Sequence, residues 1–330
     1  MSEKINRSRH LASTDPNERL AAVLGEAFRR YRRAWAEAEK GLRPAFPLHL
    51  DVDVTTACNF ACPMCPAGNS GHIFPGFQKG RRLDFRLYQK ALVEGADFGL
   101  PSLRLGLTGE PLLIPDISNW VEAARQRGFI DIALITNGRL LSPGLSRELI
   151  EAGLTRLMIS VDAADEEIYS QVRPGGDWNL LLANIAAFLE AREKSGSVLP
   201  LLRLSFVEMN INRHQRRAFE ERFAPMADYL SFQRYQNILG AEDTKFASFP
   251  DLSGSEKAAA GFCSEPFTRL ALHVDGGLFP CCSDFGRQRP LANLTSGGIF
   301  AAWDSEAARA LAGPGAAGAE PCRTCLDRAG

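Results

Sequence analysis

The sequence predicts an α/β fold, a partial (β/α)6 barrel followed by a small α+β tail, and three observations carry that prediction. β-type and helix-type runs alternate from about residue 48 to 240, the composition turns loop-rich after about residue 245, and the eight cysteines form two groups that respect this division. The expected organisation is an N-terminal helical extension over 1–47, the barrel over 48–244 and a cysteine-bearing module over 245–330.

The extension opens with Asp15 as a helix cap, Pro16 at the first helical position and Glu18 completing a capping-box-like pattern. Leu20, Leu24, Ala27, Phe28, Tyr31 and Trp35 follow at helical spacing, with the arginines largely elsewhere. A basic amphipathic helix of this kind suits an acidic partner or a membrane surface; here it is read as packing its apolar stripe on the body. Strands are expected at His49–Val54, Leu103–Leu107, Ile132–Ile135, Leu157–Val161, Leu202–Val207 and Tyr229–Phe232. Helices are expected around 84–98, 117–127, 144–152, 179–194 and 213–226, so that right-handed crossovers join parallel strands. Six units are too few for an eight-unit barrel and suit a partial one. In the tail, LALHVDGGLFPCC reads as strand, turn at Gly276 and Gly277, and strand; Ile299–Leu311 reads as one helix with Trp303 in the core.

Composition excludes several classes. With 45% hydrophobic residues the chain is not disordered, and a net charge of −1 argues against nucleic-acid binding by phosphate neutralisation. The polar N-terminus and the lack of any run near the roughly 18–20 apolar residues of a membrane span predict a cytoplasmic chain with no membrane contact. Thiols stay reduced there, and clustered cysteines bind metal more often than they pair.

Cys58, Cys62 and Cys65 form C-x3-C-x2-C directly after the first expected strand. Three thiolates are one short of the four that close a zinc or cubane Fe–S site, so one metal corner stays open to a cofactor or substrate. Phe60, inside the loop, is expected to pack beside the metal.

This motif in an alternating chain resembles the radical S-adenosylmethionine (SAM) superfamily. The resemblance implies a 4Fe–4S cluster whose open iron is chelated by SAM, reductive cleavage to a 5′-deoxyadenosyl radical, and hydrogen abstraction from an unactivated carbon. It also implies roles for residues at the other strand ends. Thr108, Gly109 and Glu110 resemble the family's glycine–glutamate motif, which receives the methionyl amino group, with Thr108 where many relatives have glycine. Asn137 lies in a Thr-Asn-Gly segment common in this subgroup, and Ser160 and Asp162 resemble the segment that contacts ribose and methionine. Arg173 is assigned to the methionyl carboxylate. Singly these are ordinary turns and caps; together they occupy four successive strand ends, where parallel α/β barrels carry their chemistry. Glu208, Asn210, Arg234, Tyr235 and Gln236 follow the last two strands toward the same mouth.

Cys263, Cys281, Cys322 and Cys325 supply four thiolates, enough to saturate a second 4Fe–4S cluster or a zinc ion. Cys263, Gly276 and Cys281 in C-x12-G-x4-C resemble the start of a SPASM domain, and the short remainder resembles its shortened twitch form with one auxiliary 4Fe–4S cluster. Cys282 is left over: a half-buried neighbour of a ligand, an exchanging ligand, or a catalytic hydrogen-atom donor as in radical SAM epimerases. The resemblance to aminocyclitol and sugar dehydrogenases and epimerases implies a small polar metabolite as substrate and a flavodoxin- or ferredoxin-type electron donor. A peptide-modifying maturase is the alternative enzyme, and a non-catalytic zinc or Fe–S module the alternative of another class. His72 and His273 lie near cysteine motifs without being required as ligands, and His10, His49 and His214 carry no signal.

Overall fold

The computed structural model describes residues 9–65, 77–235, 263–284, 289–313 and Cys322. Six strands run parallel in sequence order: β2 (His49–Val52), β3 (Ser102–Leu105), β4 (Asp131–Thr136), β5 (Arg156–Ser160), β6 (Leu201–Glu208) and β7 (Tyr229–Arg234). A strand too short to show a period in sequence, β1 (Arg9–Leu11), pairs antiparallel with β7 at one edge. At the other edge β8 (Arg269–Leu272) pairs parallel with β2, then antiparallel with β9 (Gly277–Phe279), which is joined by β10 (Ala292–Asn293). The tail strand β8 therefore extends the same sheet as the barrel strands.

The strand faces alternate without interruption. Leu50, Leu103, Leu134, Leu157, Leu204 and Leu270 point outward into one hydrophobic core beneath the helices. Their neighbours His49, Arg104, Asp131, Arg156, Arg203, Tyr229 and Arg269 instead line a single internal chamber of about 500 Å³. Strands lie about 4.8 Å apart, so a flat sheet would separate β7 from β8 by about 29 Å. One chamber of this size touches both, and the sheet is accordingly curled into an open barrel. Helices α2 (Phe85–Asp97), α3 (Ile117–Gln126), α4 (Pro143–Glu151), α5 (Glu166–Val172), α6 (Trp178–Lys194) and α7 (Arg216–Phe223) connect the strands. Asp84, Ser142, Asp165 and Asp177 cap four of them through side-chain oxygens.

Two expectations change. Helix α5 is an addition to the expected set, because seven residues are too few to display a helical period. The helix expected over Ile299–Leu311 is two, α9 (Ile299–Trp303) and α10 (Glu306–Leu311), because Ser305 turns out of the helix and caps the second by accepting from Ala308 N at 3.1 Å. They follow α8 (Glu265–Thr268), and Trp303 is buried as expected, with the Arg43 guanidinium 3.9 Å above its ring.

Helix α1 (Pro16–Ala38), capped by Asp15, packs Leu20, Phe28 and Tyr31 against Leu201, Tyr229 and Phe267. It lies across the strand-start end of the barrel, where Tyr31 OH accepts from Ser102 Oγ at 3.2 Å and Asn17 accepts from Arg156 at 3.0 Å. Among the described residues no helix is long and apolar enough to cross a membrane.

The two-face assignment is testable on one strand. Leu134→Ala should lower unfolding free energy by about 2–5 kcal/mol through a core cavity. Ala133→Ser, one residue earlier but facing the polar lumen, should cost less than about 1 kcal/mol. Urea unfolding that gives equal losses would contradict the assignment.

Candidate active site

The loop after β2 is held by its neighbours before any metal is considered. Thr55 Oγ1 donates to the Arg81 carbonyl at 2.8 Å, and Thr56 Oγ1 to that of Gln78 at 2.6 Å. Ala61 N donates to the Pro174 carbonyl at 2.9 Å, and Asn137 Nδ2 to Asn59 Oδ1 at 2.7 Å. The segment after β3 crosses so closely that a Cβ on Gly109 would collide with the Thr55 and Ala57 carbonyl oxygens. Glu110 N then donates to Ala57 O at 2.8 Å. Only glycine permits this crossing.

Cys62 is buried, Cys58 and Cys65 half-buried, and Phe60 is buried within the loop as expected. Burial pushes the Cys58 thiol up and that of Cys62 up to about 12, against the pull of Arg173. Arg173 Nη1 lies 4.0 Å from Cys62 Sγ. Among the described residues no three His, Cys, Asp or Glu side chains are gathered around a single-ion site. A cubane instead takes its thiolates at separate iron corners, which suits three cysteines spread along one loop.

The strand-end residues surround this loop, several of them already engaged. Glu110 is buried; Oε1 accepts from Leu112 N at 3.0 Å and Thr136 Oγ1 at 2.6 Å, and Oε2 accepts from Asn137 N at 2.7 Å. Burial raises its pKa despite these bonds. Thr108 donates to Asp53 from both N and Oγ1, at 3.2 and 2.8 Å, which accounts for threonine where the motif resembles glycine. Asp162, with φ of +60°, is fully buried; it accepts from Val207 N at 2.8 Å and is bridged by the Arg173 guanidinium. Arg173, expected at a carboxylate of the cofactor, thus spends its Nε and Nη2 on Asp162. Ser160 is half-buried at the end of β5. Of the later candidates, Glu208 pairs with Arg216 at 2.8 Å and Tyr235 is buried. Gln236 and His72 lie outside the described residues.

In the tail, Cys263 precedes α8, while Cys281 and Cys282 follow β9; these three and Cys322 are half-buried, and Cys325 lies outside the described residues. The adjacent thiols face different surroundings. After desolvation, the charges bearing on Cys281 are Cys282, Glu265 and Cys263. Those bearing on Cys282 are Asp51, Glu265, Arg104 and Arg269, the ionic groups of the lumen and its rim, and desolvation pushes this thiol up to about 11. Asp284 is buried and accepts from Arg289 N at 2.9 Å.

Residues 52–204 match the model of the radical SAM superfamily, and residues 263–326 match the iron-sulfur cluster-binding SPASM domain. The chain carries a radical SAM domain and a SPASM domain. The radical SAM domain implies a 4Fe–4S cluster and SAM, and the SPASM domain auxiliary Fe–S chemistry. Among relatives, the GTP 3′,8-cyclase of Xanthomonas campestris pv. campestris is 30% identical over 191 residues, 57% of this chain and 54% of its own length. The chain thus spans about half the length of that relative. The probable GTP 3′,8-cyclase of Methanococcus maripaludis is 28% identical over 262 residues, 70% of this chain and 83% of its own. Among solved structures, Streptococcus suis SuiB bound to precursor peptide SuiA superposes with a TM-score of 0.64 at 17% identity, covering 84% of this chain and 69% of that one. Native anSMEcpe with bound AdoMet gives 0.57 at 13% identity, covering 80% and 82%. These two share their fold with this chain.

Three residues that sequence reasoning passed over belong to the site's support. Asp53 anchors Thr108, Asn59 joins the cysteine loop to Asn137, and His49 bridges Ser102 Oγ at 2.7 Å and Asp51 at 3.2 Å inside the lumen. Only the inward position of Asp53 and His49 in an alternating strand hinted at this.

Gly109→Ala should leave the fold intact by circular dichroism while forcing the Glu110 segment off the cysteine loop, a strain of about 1–3 kcal/mol. Iron content after anaerobic reconstitution should fall. Unchanged iron and unchanged stability would show that the crossing does not shape the loop.

Proposed function

We propose that the protein cleaves SAM reductively and directs hydrogen abstraction onto a small polar molecule held in the barrel lumen, for oxidation or epimerisation. The observation that carries this reading is the strand-end cluster: the cysteine loop lies against Glu110, Asn137 and the Asp162–Arg173 pair at one mouth of the barrel. Cys58, Cys62 and Cys65 hold the first cluster, and Cys263, Cys281, Cys322 and Cys325 the auxiliary one. When bound, the cluster and SAM supply one-electron cleavage to a 5′-deoxyadenosyl radical that removes a hydrogen atom from carbon.

The chain's own groups then have definable tasks. Glu110 Oε2, which accepts a single protein N–H, offers a further lone pair to the methionyl amino group. Thr136, Asn137 and Leu112 fix that carboxylate. Asp162 positions Arg173, whose charge beside Cys62 favours the thiolate, and Ser160 lies at the neighbouring strand end. Cys282, in the field of lumen charges, is the hydrogen-atom donor for inversion. Its S–H bond gives a hydrogen atom to the substrate radical, and one electron from a flavodoxin- or ferredoxin-type donor with one proton from solvent restores the thiol. An auxiliary cluster held by Cys263, Cys281, Cys322 and Cys325 would supply a one-electron acceptor, so that a substrate radical losing an electron and a proton would give oxidation instead.

A nucleotide substrate is the second reading, favoured by relatives named GTP 3′,8-cyclase. A peptide substrate draws support only from the precursor peptide bound to SuiB, a protein that shares the fold.

Anaerobic reconstitution should give about eight irons per chain, two four-iron clusters, and 5′-deoxyadenosine on reduction with SAM. A Cys58/Cys62/Cys65 triple alanine variant should retain about four irons and form none. If that variant still cleaves SAM, the reading fails.

Cys282→Ala should retain 5′-deoxyadenosine formation and lose inversion, read as solvent deuterium missing from the product carbon. Normal inversion by the variant would return Cys282 to a structural role.

A further inference from the structure

The lumen's charges do not balance locally, and the imbalance is sharpest at one buried residue. Five guanidinium groups line the strand-start chamber, on Arg32, Arg104, Arg156, Arg203 and Arg269. Arg32 of α1 is half-buried against the Tyr31 and Trp35 rings, with no carboxylate partner among the described residues. Three are matched by carboxylates. Arg104 pairs with Asp51 at 2.7 Å, Arg156 with Asp131 at 3.0 Å, and Arg269 with Asp51 at 3.3 Å and Glu265 at 2.7 Å.

Arg203 has no carboxylate partner among the described residues. Only 9% of it is exposed, and its one side-chain hydrogen bond among those residues runs from Nε to Ser205 Oγ at 3.0 Å. Its terminal nitrogens have no partner there and are absent from the fully enclosed polar atoms, so they open into the chamber they line. Burial, reinforced by the cations Arg104 and Arg156 and opposed by Tyr229, holds its pKa below the usual guanidinium value. An uncompensated buried cation is destabilising. One held with free donors aimed into a cavity of about 500 Å³ is arranged to receive an anion.

We propose that this chamber binds an oxyanion, a phosphate or carboxylate group, with Arg203 as its cation and Arg104 and Arg156 alongside. This anion site stands independently of the function proposed above. The geometry divides the lumen, with cofactor chemistry at the strand ends and recognition of negative charge at the strand starts. The site draws on residues from β3, β5 and β6, brought together only by the curl of the sheet.

The test uses the full chain, titrated separately with inorganic phosphate and with acetate, followed by Tm and by tryptophan fluorescence, since Trp35 lines the chamber. Saturable binding should raise Tm by about 2 °C or more for the better anion. The better of the two assigns the group as phosphoryl or carboxyl. Arg203→Met should abolish the saturable shift without lowering the anion-free Tm, and exposed Arg217→Met should preserve it. Should Arg203→Met not fold, Arg203→Lys carries the test, weakening affinity by about tenfold or more. No saturable shift in the unaltered chain, or an equal shift in the Arg203 variant, overturns the proposal. SAM cleavage by the unaltered protein is assayed in parallel. Its failure with anion binding intact removes the catalytic reading alone, and the reverse result removes the anion site alone.

Discussion

The structure depends on the strict alternation of its parallel strands. In a sheet buried on both faces by helices, parallel strands read as continuous apolar runs. Here inward positions carry polar or charged groups, as in His49-Leu50-Asp51-Val52 and Arg203-Leu204-Ser205-Phe206, with Ala133 and Met158 as apolar exceptions in the lining. One face builds the core under the helices and the other encloses a lumen. Because side chains alternate with a period of two, a register slip of one residue would bury arginines under helices and open leucines to the lumen. The core therefore fixes the register, and the register determines which charged groups meet inside. The same closure places the six strand ends around one mouth, where the cysteine loop sits.

That loop is preorganised from behind. Gly109 lets the β3 segment lie against the Thr55 and Ala57 carbonyls, Gly175 brings the turn after α5 against Asn59, and Asn137 ties the loop to β4. Each contact comes from a different strand-end segment, so the positions of the three thiols are set by the barrel rather than by the loop's own sequence. Preorganised ligands lose less conformational freedom on binding a cofactor. Asp53 extends this support inward: it receives Thr108 from β3 and lies 3.8 Å from His273 of the tail, at Nδ1. A change in the tail module is thereby mechanically linked to the glycine–glutamate segment.

Much of this was legible in sequence, and the limits are physical. The six barrel strands were readable because an apolar period of two is long enough to register over four to eight residues. Strand β1 and helix α5 are too short to show a period, and the pairing of β8 with β2 is a contact between residues 220 apart in the chain, His49 with Arg269. The cysteines and Glu110 were visible because their chemistry is carried by local spacing. Thr108 with Asp53, Asn137 with Asn59 and the chamber around Arg203 were not, because each requires side chains from different strands. Alternation shows that Arg203 faces inward; only the register shows that no carboxylate among the described residues faces it.

The two ends of the barrel are distinct environments. Strand β6 rises about 3.3 Å per residue, so Arg203 and Glu208 stand about 17 Å apart along it. Between those levels the inward-facing Asp51, Asp53, Ser205, Ser231 and His273 are buried, so packed side chains separate the strand-start chamber from the cysteine loop. Charge nevertheless connects the two: Arg104 and Arg269 line the chamber, both pair with Asp51, and all three bear on the Cys282 thiol. A change of charge in the chamber is thereby felt electrostatically at the leftover thiol.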